Sequence, residues 1–203
     1  MSAGNPGCAN RTVVEAPPAG AAPQHRPNGS AASRSRAPAR PPVDGRRFRD
    51  ALGRFPTGVV AITGCDPESG RPAGLAANSF TSVSLDPPLV GFCVAHTSTS
   101  WPALRRAHRL AVGILGADQE EACRRLAARG GDKFAGLGHF PSPSGAPVLD
   151  GTPAWLECSV EAEHPAGDHL IVVARVHHLD TDGAGGGGPL VFYRGDYGGL
   201  PWG

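Results

Sequence analysis

The sequence lacks any long apolar run, and no stretch approaches the ~20 consecutive apolar residues that a membrane-spanning helix needs. The N-terminus also lacks the apolar segment of a secretory signal. The five cysteines are scattered and odd in number, and none forms a Cys-x-x-Cys pair, which argues against a disulfide framework and against a zinc site. We therefore expect a cytoplasmic protein with reduced thiols that makes no contact with a membrane.

Net positive charge is missing outside the N-terminal segment. The whole chain carries a net charge of +1, and residues 1–43 hold five arginines against one glutamate, which leaves a net charge of −3 for residues 44–203. A folded part with this charge is not a basic nucleic-acid binder. The basic N-terminal segment could contact phosphates, but a solvated tail is the simpler interpretation.

Bulky apolar side chains are almost missing from the first 43 residues. Alanine, proline, glycine, serine and arginine dominate there, and this composition cannot bury enough surface to offset the entropy cost of ordering. The sequence therefore predicts a disordered tail over residues 1–43 and one folded domain over residues 44–203.

Motifs for metal or hydrolytic catalysis are missing as well. There is no His-Glu-x-x-His pair for zinc and no Gly-x-Ser-x-Gly turn for a nucleophilic serine. His177 and His178 are neighbours on a predicted strand, so their side chains point to opposite faces. The glycine run at 183–188 leads from an acidic loop into a strand, whereas phosphate-binding loops follow a strand and open a helix.

Short β-type segments fill the rest of the sequence, with a few short helices between them. Asp44 is a predicted N-cap for a helix with apolar residues Phe48, Leu52 and Phe55. Further helices are predicted from Trp101 and from a capping box of Asp118 and Glu121 to Gly130, followed by a loop over 131–152. Frequent strands with hairpin-length turns predict a mainly β fold, a closed antiparallel barrel with short flanking α-helices. The predicted strands cover 59–63, 73–80, 89–95, 110–115, 156–163, 170–176 and 190–193.

One stretch, GLAANSFTSVSLDPPLVGFCV at 74–94, has more small polar side chains than a helix or a core strand needs. Small side chains at Ala76 and Ala77 would let a flat heteroaromatic ring approach the backbone. The polar groups that follow could hydrogen-bond the edge of such a ring or a sugar-like chain. An edge strand with ordinary polar alternation is the alternative that spacing alone leaves open. The polar groups belong to Asn78, Thr81, Ser82 and Ser84, while the small side chain of Ser79 would, like the two alanines, let the ring approach.

Two shorter motifs add to this picture. In HTSTSWPAL, Ser98, Thr99 and Ser100 precede a helix start, where free N–H groups and the helix dipole favour an anion such as phosphate. Simple N-capping is the alternative for these hydroxyls. In AGDH, His169 follows a tight turn and opens a strand, so it is expected at an exposed end.

Taken together, these motifs resemble the short-chain flavin reductases, the small components of two-component flavin-dependent monooxygenases. The resemblance covers roughly residues 45–202 and leaves the tail outside. It implies an FMN-binding split β-barrel. The segments that carry it, in the order and spacing of the family, are FRDALGRFPTGVVAIT, GLAANSFTSVSLDPPLVGFCV, STSWPAL, AGDH and FYRGDYGGL.

The resemblance also implies roles for individual residues. His169 matches the histidine that contacts the nicotinamide, and Tyr197 falls where an aromatic residue lines the nicotinamide nucleotide site. Ala76 is a departure, because many relatives have threonine there, and it costs one possible hydroxyl contact. Flavin contacts are implied for Thr57, Ala77, Asn78, Ser79, Phe80, Thr81, Val83 and Ser84 at the ring and ribityl chain, for Ser98, Thr99 and Ser100 on the phosphate side, and for Lys133 and Arg194.

The function that the resemblance implies is reduction of free FMN or FAD by hydride transfer from NADH, with NADPH as the other option. The reduced flavin would pass to a separate flavin-dependent monooxygenase. The sequence has no cluster of arginines that could bind the 2′-phosphate of NADPH, which favours NADH. A homodimer is also implied, and the predicted strand over 170–176 is apolar on both faces.

Two other classes of protein compete with this interpretation. A pyridoxamine-phosphate oxidase-like split barrel would hold FMN tightly and lack the Gly-Asp-His signature. A flavin or haem carrier would bind its ligand without oxidising NADH. The AGDH motif and the aromatic residue near the C-terminus both favour the reductase.

Overall fold

The computed structural model of the chain describes residues 43–181 and 187–200. The predicted tail, apart from Val43, and most of the glycine run lie outside these residues. The described residues form three α-helices and twelve strands. The helices are α1 (Gly45–Leu52), α2 (Trp101–Arg106) and α3 (Glu120–Ala127), and the strands are β1 (Thr57–Gly58), β2 (Val60–Cys65), β3 (Pro72–Ala77), β4 (Thr81–Leu85), β5 (Pro88–Ala95), β6 (Leu110–Ile114), β7 (His139–Pro141), β8 (Pro147–Leu149), β9 (Ala154–Ala166), β10 (His169–Asp180), β11 (Leu190–Tyr193) and β12 (Asp196–Gly199).

Seven of the strands form one antiparallel sheet in the order β3-β2-β6-β9-β10-β5-β4. Its edge strands, β3 and β4, follow each other in sequence, yet in this sheet they do not pair. The link between them folds back to β5, where the hydroxyl of Ser79 accepts a hydrogen bond from the N–H of Cys93. The prediction of a mainly β fold is confirmed, but the barrel is split by an open seam beside β3 rather than closed.

Two smaller sheets lie outside the seven-stranded one. β1, β11 and β12 form a three-stranded sheet, and β7 pairs with β8 in a hairpin. The backbone N–H of Leu190 donates to the carbonyl of Leu115, whose own N–H donates to Val59, so the small sheet is tied to the end of β6.

The main core lies on the inner face of the large sheet and under α2. Ile62, Phe92, Leu104 and Val112 are essentially inaccessible to solvent. Full burial of a side chain of this size stabilises the fold by about 1.5–3 kcal/mol. The rings of Phe92 and Trp101 meet edge to face with centroids 5.8 Å apart, which fixes the start of α2 against β5.

The predicted capping box of Asp118 and Glu121 is wrong. A 3₁₀ turn precedes α3, and the carboxamide of Gln119 accepts the N–H of Gly116 and donates to the carbonyl of Asp150. A glutamine carboxamide can accept and donate at once, so it closes the turn and holds the following loop. The helix also ends at Ala127 rather than at Gly130.

Four strands of three or more residues were not expected from the sequence. β4 lies in the polar stretch and β12 follows a two-residue turn, while β7 and β8 lie in the segment predicted as a loop. The loop between β7 and β8 is held by Glu157 of β9, which is 3% exposed and accepts hydrogen bonds from Ser142 and Ser144. The hairpin is therefore stabilised by a long-range contact, and its own residues carry no local pattern that predicts it.

The predicted first helix is confirmed, and Asp44 accepts from the N–H groups of Arg46 and Arg47 at 3.0 and 2.8 Å. Its apolar stripe is exposed, however: Phe48 is 54% and Leu52 57% accessible. Nothing within the described chain covers these side chains.

Within residues 43–181 and 187–200, no helix is both long enough and apolar enough to cross a membrane. The same residues contain no group of three or more His, Cys, Asp or Glu side chains placed to hold a metal ion. The four described cysteines are all free thiols: Cys65, Cys93, Cys123 and Cys158.

Candidate functional site

A groove of about 340 Å³ opens between the end of β3, the end of β5 and the end of α3, and we call it the seam groove. The residues that line it are far apart in sequence. Polar and small side chains line most of it, so a ligand there would meet hydrogen-bonding groups close to the backbone. Eight of the residues singled out from the sequence lie on its walls: Ala76, Ala77, Asn78, Ser79, Ser98, Thr99, Lys133 and His169.

The first wall is the end of β3 and the residues that follow it. β3 pairs with β2 as far as Ala77, and the chain then leaves the sheet. Asn78 and Ser79 are exposed, and the Ser79 hydroxyl lies 2.9 Å from the N–H of Cys93 on β5. Because Ala76 and Ala77 carry only methyl groups, a flat ligand can approach the backbone here.

Lys133 forms the base of the groove at its other end. Its Nζ donates to the carbonyl of Leu126 at 2.8 Å and to the hydroxyl of Ser100 at 2.9 Å. Burial lowers the pKa of this ammonium group, and no carboxylate among the described residues forms an ion pair with it. A half-buried cation without an anionic partner favours an anionic ligand group, and Arg129 lines the same groove.

The hydroxyl groups of Ser98, Thr99 and Ser100, which precede α2, differ in their contacts and exposure. Ser98 accepts a hydrogen bond at 3.3 Å from the N–H of Trp101, the first residue of α2, whereas the N-cap residue Ser100 makes no side-chain capping bond. Ser100 is buried and bonded to Lys133, while Thr99 is exposed at the groove. The capping interpretation therefore applies to Ser98, and Thr99 is the hydroxyl that a ligand can reach.

His169 is the first residue of β10 and faces the groove from the other side of the seam. Its Nδ1 lies 2.7 Å from Oδ1 of Asp168, and this hydrogen bond, with the charge of the ring, lowers the pKa of the Asp168 carboxyl. When Nδ1–H donates to Asp168 in the neutral ring, Nε2 is left as a hydrogen-bond acceptor.

Thr57 and Arg194 line a second groove, of about 880 Å³, beneath α1, and Asn78 and Ser79 are shared with it. The Thr57 hydroxyl is buried and has no hydrogen-bond partner within the described residues. Arg194 has a left-handed backbone (φ 52°) and precedes Gly195 in the β11–β12 turn. Its N–H donates to the carbonyl of Gly53 at 2.9 Å, which ties the turn to the end of α1.

Tyr197 lies beside the seam groove in a small pocket of about 140 Å³ that also contacts Ala76 and Asn78. Burial and a hydrogen bond with the Cys123 thiol raise the pKa of Tyr197 to about 12, so the phenol stays neutral. The guanidinium of Arg124 stacks 4.9 Å from its ring centroid. The tyrosine is thereby held against the wall that carries Asn78.

The remaining expected residues lie elsewhere. Phe80 packs against the main core, and Thr81, Val83 and Ser84 lie on β4, outside the seam groove. The end of α3 was not expected in the site, because no local pattern places Ala127 and Arg129 next to residues about fifty positions earlier. Only the packing of α3 on β3 brings them together.

Comparison with known proteins identifies the family. The model of the flavin reductase like domain matches residues 52–201. The chain therefore belongs to the flavin reductase family, and the fold prediction is consistent with this membership.

Curated relatives show the same relationship. The chain is 44% identical over 158 residues to a flavin reductase of Pseudomonas putida, covering 78% of this chain and 91% of the relative. It is equally similar, over 158 residues, to HsaB of Rhodococcus jostii, the reductase subunit of a flavin-dependent monooxygenase, covering 78% and 79%. SmoA of Agrobacterium fabrum, an FMN reductase (NADH), is 43% identical over 156 residues, covering 75% and 84%.

Solved structures resemble this chain as well. A homologue of nitrilotriacetate monooxygenase component B from Mycobacterium thermoresistibile superposes with a TM-score of 0.72 at 43% identity, covering 76% of this chain and 86% of that one. The NADH:FAD oxidoreductase SgcE6 from Streptomyces globisporus, in complex with NAD and FAD fragments, gives 0.70 at 34% identity, covering 77% and 93%.

Proposed function

We propose that this protein is a flavin reductase that uses NADH to reduce FMN or FAD and supplies the reduced flavin to a separate flavin-dependent monooxygenase. The observation that carries the proposal is the seam groove. It brings the small polar wall at Asn78 and Ser79, the ammonium group of Lys133 and the imidazole of His169 around one space.

The residues present fit a flavin. A flat ring needs close access to the backbone, which Ala76 and Ala77 provide, and hydrogen-bonding groups at its edge, which Asn78 provides. The 5′-phosphate needs positive charge, and Lys133 has no carboxylate to neutralise it within the described chain. The unpartnered Thr57 hydroxyl adds a further polar atom to the wall that Asn78 shares with the α1 groove.

The protein's own part in the reaction is binding and orientation. A nicotinamide and a flavin supply the hydride chemistry themselves when both are bound, so no protein nucleophile is needed. Asp168 keeps a proton on Nδ1 of His169, which leaves Nε2 to accept a hydrogen bond from a carboxamide N–H. Lys133 balances the phosphate charge, and the wall at Ala77 and Ser79 restricts water at one face of the groove.

NADH is the proposed reductant, because SmoA and SgcE6 are both named for NADH and both resemble this chain. We place the reaction in the cytoplasm, where NADH is produced and free thiols such as Cys93 stay reduced.

A homodimer is part of the proposal. Phe48 and Leu52 on α1 are exposed, Leu85 on the edge strand β4 is 90% accessible, and Ile171 on β10 is 42% accessible. We propose that these side chains lie on the surface that pairs with the partner, since contiguous exposed apolar patches mark interaction surfaces. A second copy of the chain would cover them, and light scattering at micromolar concentration should give twice the monomer mass.

NADH oxidation tests the function directly. The absorbance of NADH should fall when free FMN or FAD is added, and not with the protein alone. Flavin binding without NADH oxidation would favour a carrier, and flavin that stays bound through purification and cannot be exchanged would favour a protein of the pyridoxamine-phosphate oxidase type. The absence of any flavin-dependent rate would overturn the reductase proposal.

A further inference from the structure

The small pocket beside Tyr197, which we call the tyrosine pocket, shares walls with the seam groove and with the groove beneath α1. Its volume is about 140 Å³. A cavity of about 150 Å³ holds one benzene ring, so the tyrosine pocket fits a single six-membered ring and not the fused rings of a flavin. It has Ala76, Ala77, Asn78 and Ala127 in common with the seam groove, and Phe192 and Tyr197 form its aromatic wall.

The proposed reaction needs a second ring beside the flavin. Hydride transfer requires the nicotinamide and the flavin to lie in contact, with the reacting atoms about 3–3.5 Å apart. With the flavin in the seam groove, the tyrosine pocket is an adjoining space that fits one ring and offers aromatic side chains to it. The orientation of the Tyr197 ring therefore sets the shape of the space that the nicotinamide enters.

Helix α3 holds Tyr197 from two consecutive positions. The thiol of Cys123, which is fully buried, forms a hydrogen bond with the phenol group. The guanidinium of Arg124 lies 4.9 Å from the centroid of the ring. Cys123 belongs to the core, whereas the side chain of Arg124 is about half exposed, so Arg124 can be replaced without opening a cavity.

Two carboxylates orient the guanidinium of Arg124 over the ring. Glu120, one turn earlier in α3, lies 2.7 Å from it, and Asp196 lies 3.6 Å from it. The same carboxylate of Asp196 accepts a hydrogen bond of 2.9 Å from the backbone N–H of Tyr197. Arg124 therefore joins α3 to β12 at the tyrosine itself.

The next residue of the helix, Arg125, has a similar ion pair but a different environment. It lies 2.9 Å from Glu121 at the same i,i+4 spacing, and its side chain is exposed to a similar degree. Its guanidinium also donates to the carbonyl of Ala135, and it stacks on no ring among the residues that the structure describes. Of these two arginines, only Arg124 contacts Tyr197.

We infer that Arg124 is a positioning residue for NADH: by stacking on Tyr197, it holds the ring in the orientation that leaves the tyrosine pocket open to the nicotinamide. This inference rests on the proposed function and adds to it a residue that acts through another side chain. Without the guanidinium, the ring is held at its phenol group and can rotate about the axis through the phenol oxygen. Only part of the enzyme then has an open pocket, which weakens NADH binding in proportion.

Steady-state kinetics of Arg124→Gln test the inference. With FMN at saturating concentration, the KM for NADH should rise about two- to fivefold, the size expected for an exposed cation–π contact. The kcat should change by less than about twofold, because the contact acts on binding and not on the reacting atoms. The Kd for FMN, measured by fluorescence titration, should stay at the wild-type value. Arg124→Lys keeps a cation and should recover part of the loss.

The matched control is Arg125→Gln, which removes an ion pair of the same spacing from the same helix. Exposed pairs of this kind contribute little to stability, so both variants should keep a Tm close to that of the wild type. The KM of Arg125→Gln for NADH should be unchanged. An equal rise of KM in the two variants would trace the effect to a loosened α3 and would overturn the inference.

A double-mutant cycle with Tyr197 tests whether Arg124 acts through the ring. Arg124→Gln should have its full effect on KM in Tyr197→Phe, which keeps the ring and loses the phenol group. It should have no further effect in Tyr197→Leu, which has no ring to stack on. A full additional rise of KM in the Tyr197→Leu background would overturn the inference.

Failure of the inference and failure of the proposed function give different results. If the wild type oxidises NADH with FMN and Arg124→Gln keeps its KM for NADH, the inference alone is overturned. The same holds if Arg124→Gln raises the Kd for FMN and leaves the KM for NADH unchanged, since Tyr197 would then support the flavin. A wild type without flavin-dependent NADH oxidation would overturn the proposed function and the inference with it.

Discussion

The hydroxyl of Ser79 accepts a 2.9 Å hydrogen bond from the backbone N–H of Cys93, and this contact joins the link between β3 and β4 to β5 across the open seam. The polar stretch therefore has two tasks. The hydroxyl of Ser79 holds the link against β5, while the neighbouring Asn78 is exposed and lines the seam groove.

Ser79→Leu should weaken flavin binding. The larger side chain crowds the wall where the ring approaches, and it removes the hydrogen bond to Cys93, a neutral interaction worth about 0.5–1.5 kcal/mol. We expect the flavin Kd to rise by about tenfold while the KM for NADH, measured at saturating flavin, changes little. Flavin titration together with NADH kinetics measures both.

Ser82→Leu is the control for this prediction, because Ser82 is an exposed residue of β4 that does not line the seam groove. It should keep the wild-type flavin affinity. Equal weakening in the two variants would show that the effect comes from β4 and not from the wall of the groove.

His169→Ala should affect the dinucleotide rather than the flavin. Loss of one hydrogen bond of about 0.5–1.5 kcal/mol lowers kcat/KM for NADH roughly two- to tenfold. The flavin Kd should stay within about twofold, because Lys133 and Asn78 are untouched. Stopped-flow and steady-state NADH oxidation give the rate, and fluorescence titration gives the flavin Kd.

His164→Ala provides the comparison for His169, since His164 is an exposed histidine on β9 opposite Ile171 and lies outside the groove. Its kinetics should match the wild type. If His169→Ala changed both ligands equally, or neither, His169 would have no place in the dinucleotide site.

The sequence predicted the parts of the fold that depend on local patterns. The predicted strands over 59–63 and 170–176 are rich in β-branched and apolar residues, and the structure has β2 (Val60–Cys65) and β10 (His169–Asp180) there. The hairpin of β7 and β8 could not be predicted, because its residues carry proline and glycine and depend on the distant Glu157. The capping prediction at Asp118 failed because Gln119 closes that turn instead.

The residues of the candidate site also fall into two groups, those that local sequence motifs identify and those that only tertiary packing brings to the groove. Asn78 and His169 were identified through motifs that lie within short segments, and the structure places both at the seam groove. Phe80 belongs to the same motif, but it lies in the link between β3 and β4 and packs against the main core. Arg129 carries no motif, and only the packing of α3 on β3 brings it to the groove.

Lys133→Gln should separate phosphorylated flavins from riboflavin. The ammonium group has no carboxylate partner within the described residues, and its three N–H groups already donate to Gly74, Ser100 and Leu126. It therefore acts on a phosphate through its charge, and a loss of about 1.4 kcal/mol corresponds to roughly tenfold in Kd. FMN and FAD should both weaken by this factor, whereas riboflavin should not. Titration of the variant with the three flavins tests this prediction. An equal loss of affinity for riboflavin would mean that the substitution has disturbed the groove itself.

Removal of residues 1–42 should leave the enzyme intact. The tail has no core-forming side chains, and the family match begins only at residue 52. A shortened chain starting at Val43 should keep its Tm within about 2 °C, which for a domain of this size corresponds to less than about 1 kcal/mol. Its NADH oxidation rate should also be unchanged, and a large drop in either quantity would show that the tail packs on the barrel.

Glu157→Gln should destabilise the protein and reduce its sensitivity to acid. Burial alone would raise the pKa of Glu157, but hydrogen bonds from Ser142 and Ser144 outweigh it and lower the pKa below the usual 4.5. A lowered folded-state pKa contributes stability that is fully present above the unfolded value and is lost as the pH falls through the folded value. Since these bonds involve a charged acceptor, we expect a loss of about 2–3 kcal/mol in the free energy of unfolding at pH 7.

The pH dependence of the free energy of unfolding tests this prediction. Urea unfolding of the wild type and the variant at pH 7, 5 and 3 gives the difference in free energy of unfolding, which should be largest at pH 7 and shrink below about pH 4.5. Glu161→Gln, at an exposed glutamate, should show a much smaller difference at every pH. A difference for Glu157→Gln that stays constant from pH 7 to 3 would mean that its carboxylate charge does not hold the β7–β8 loop.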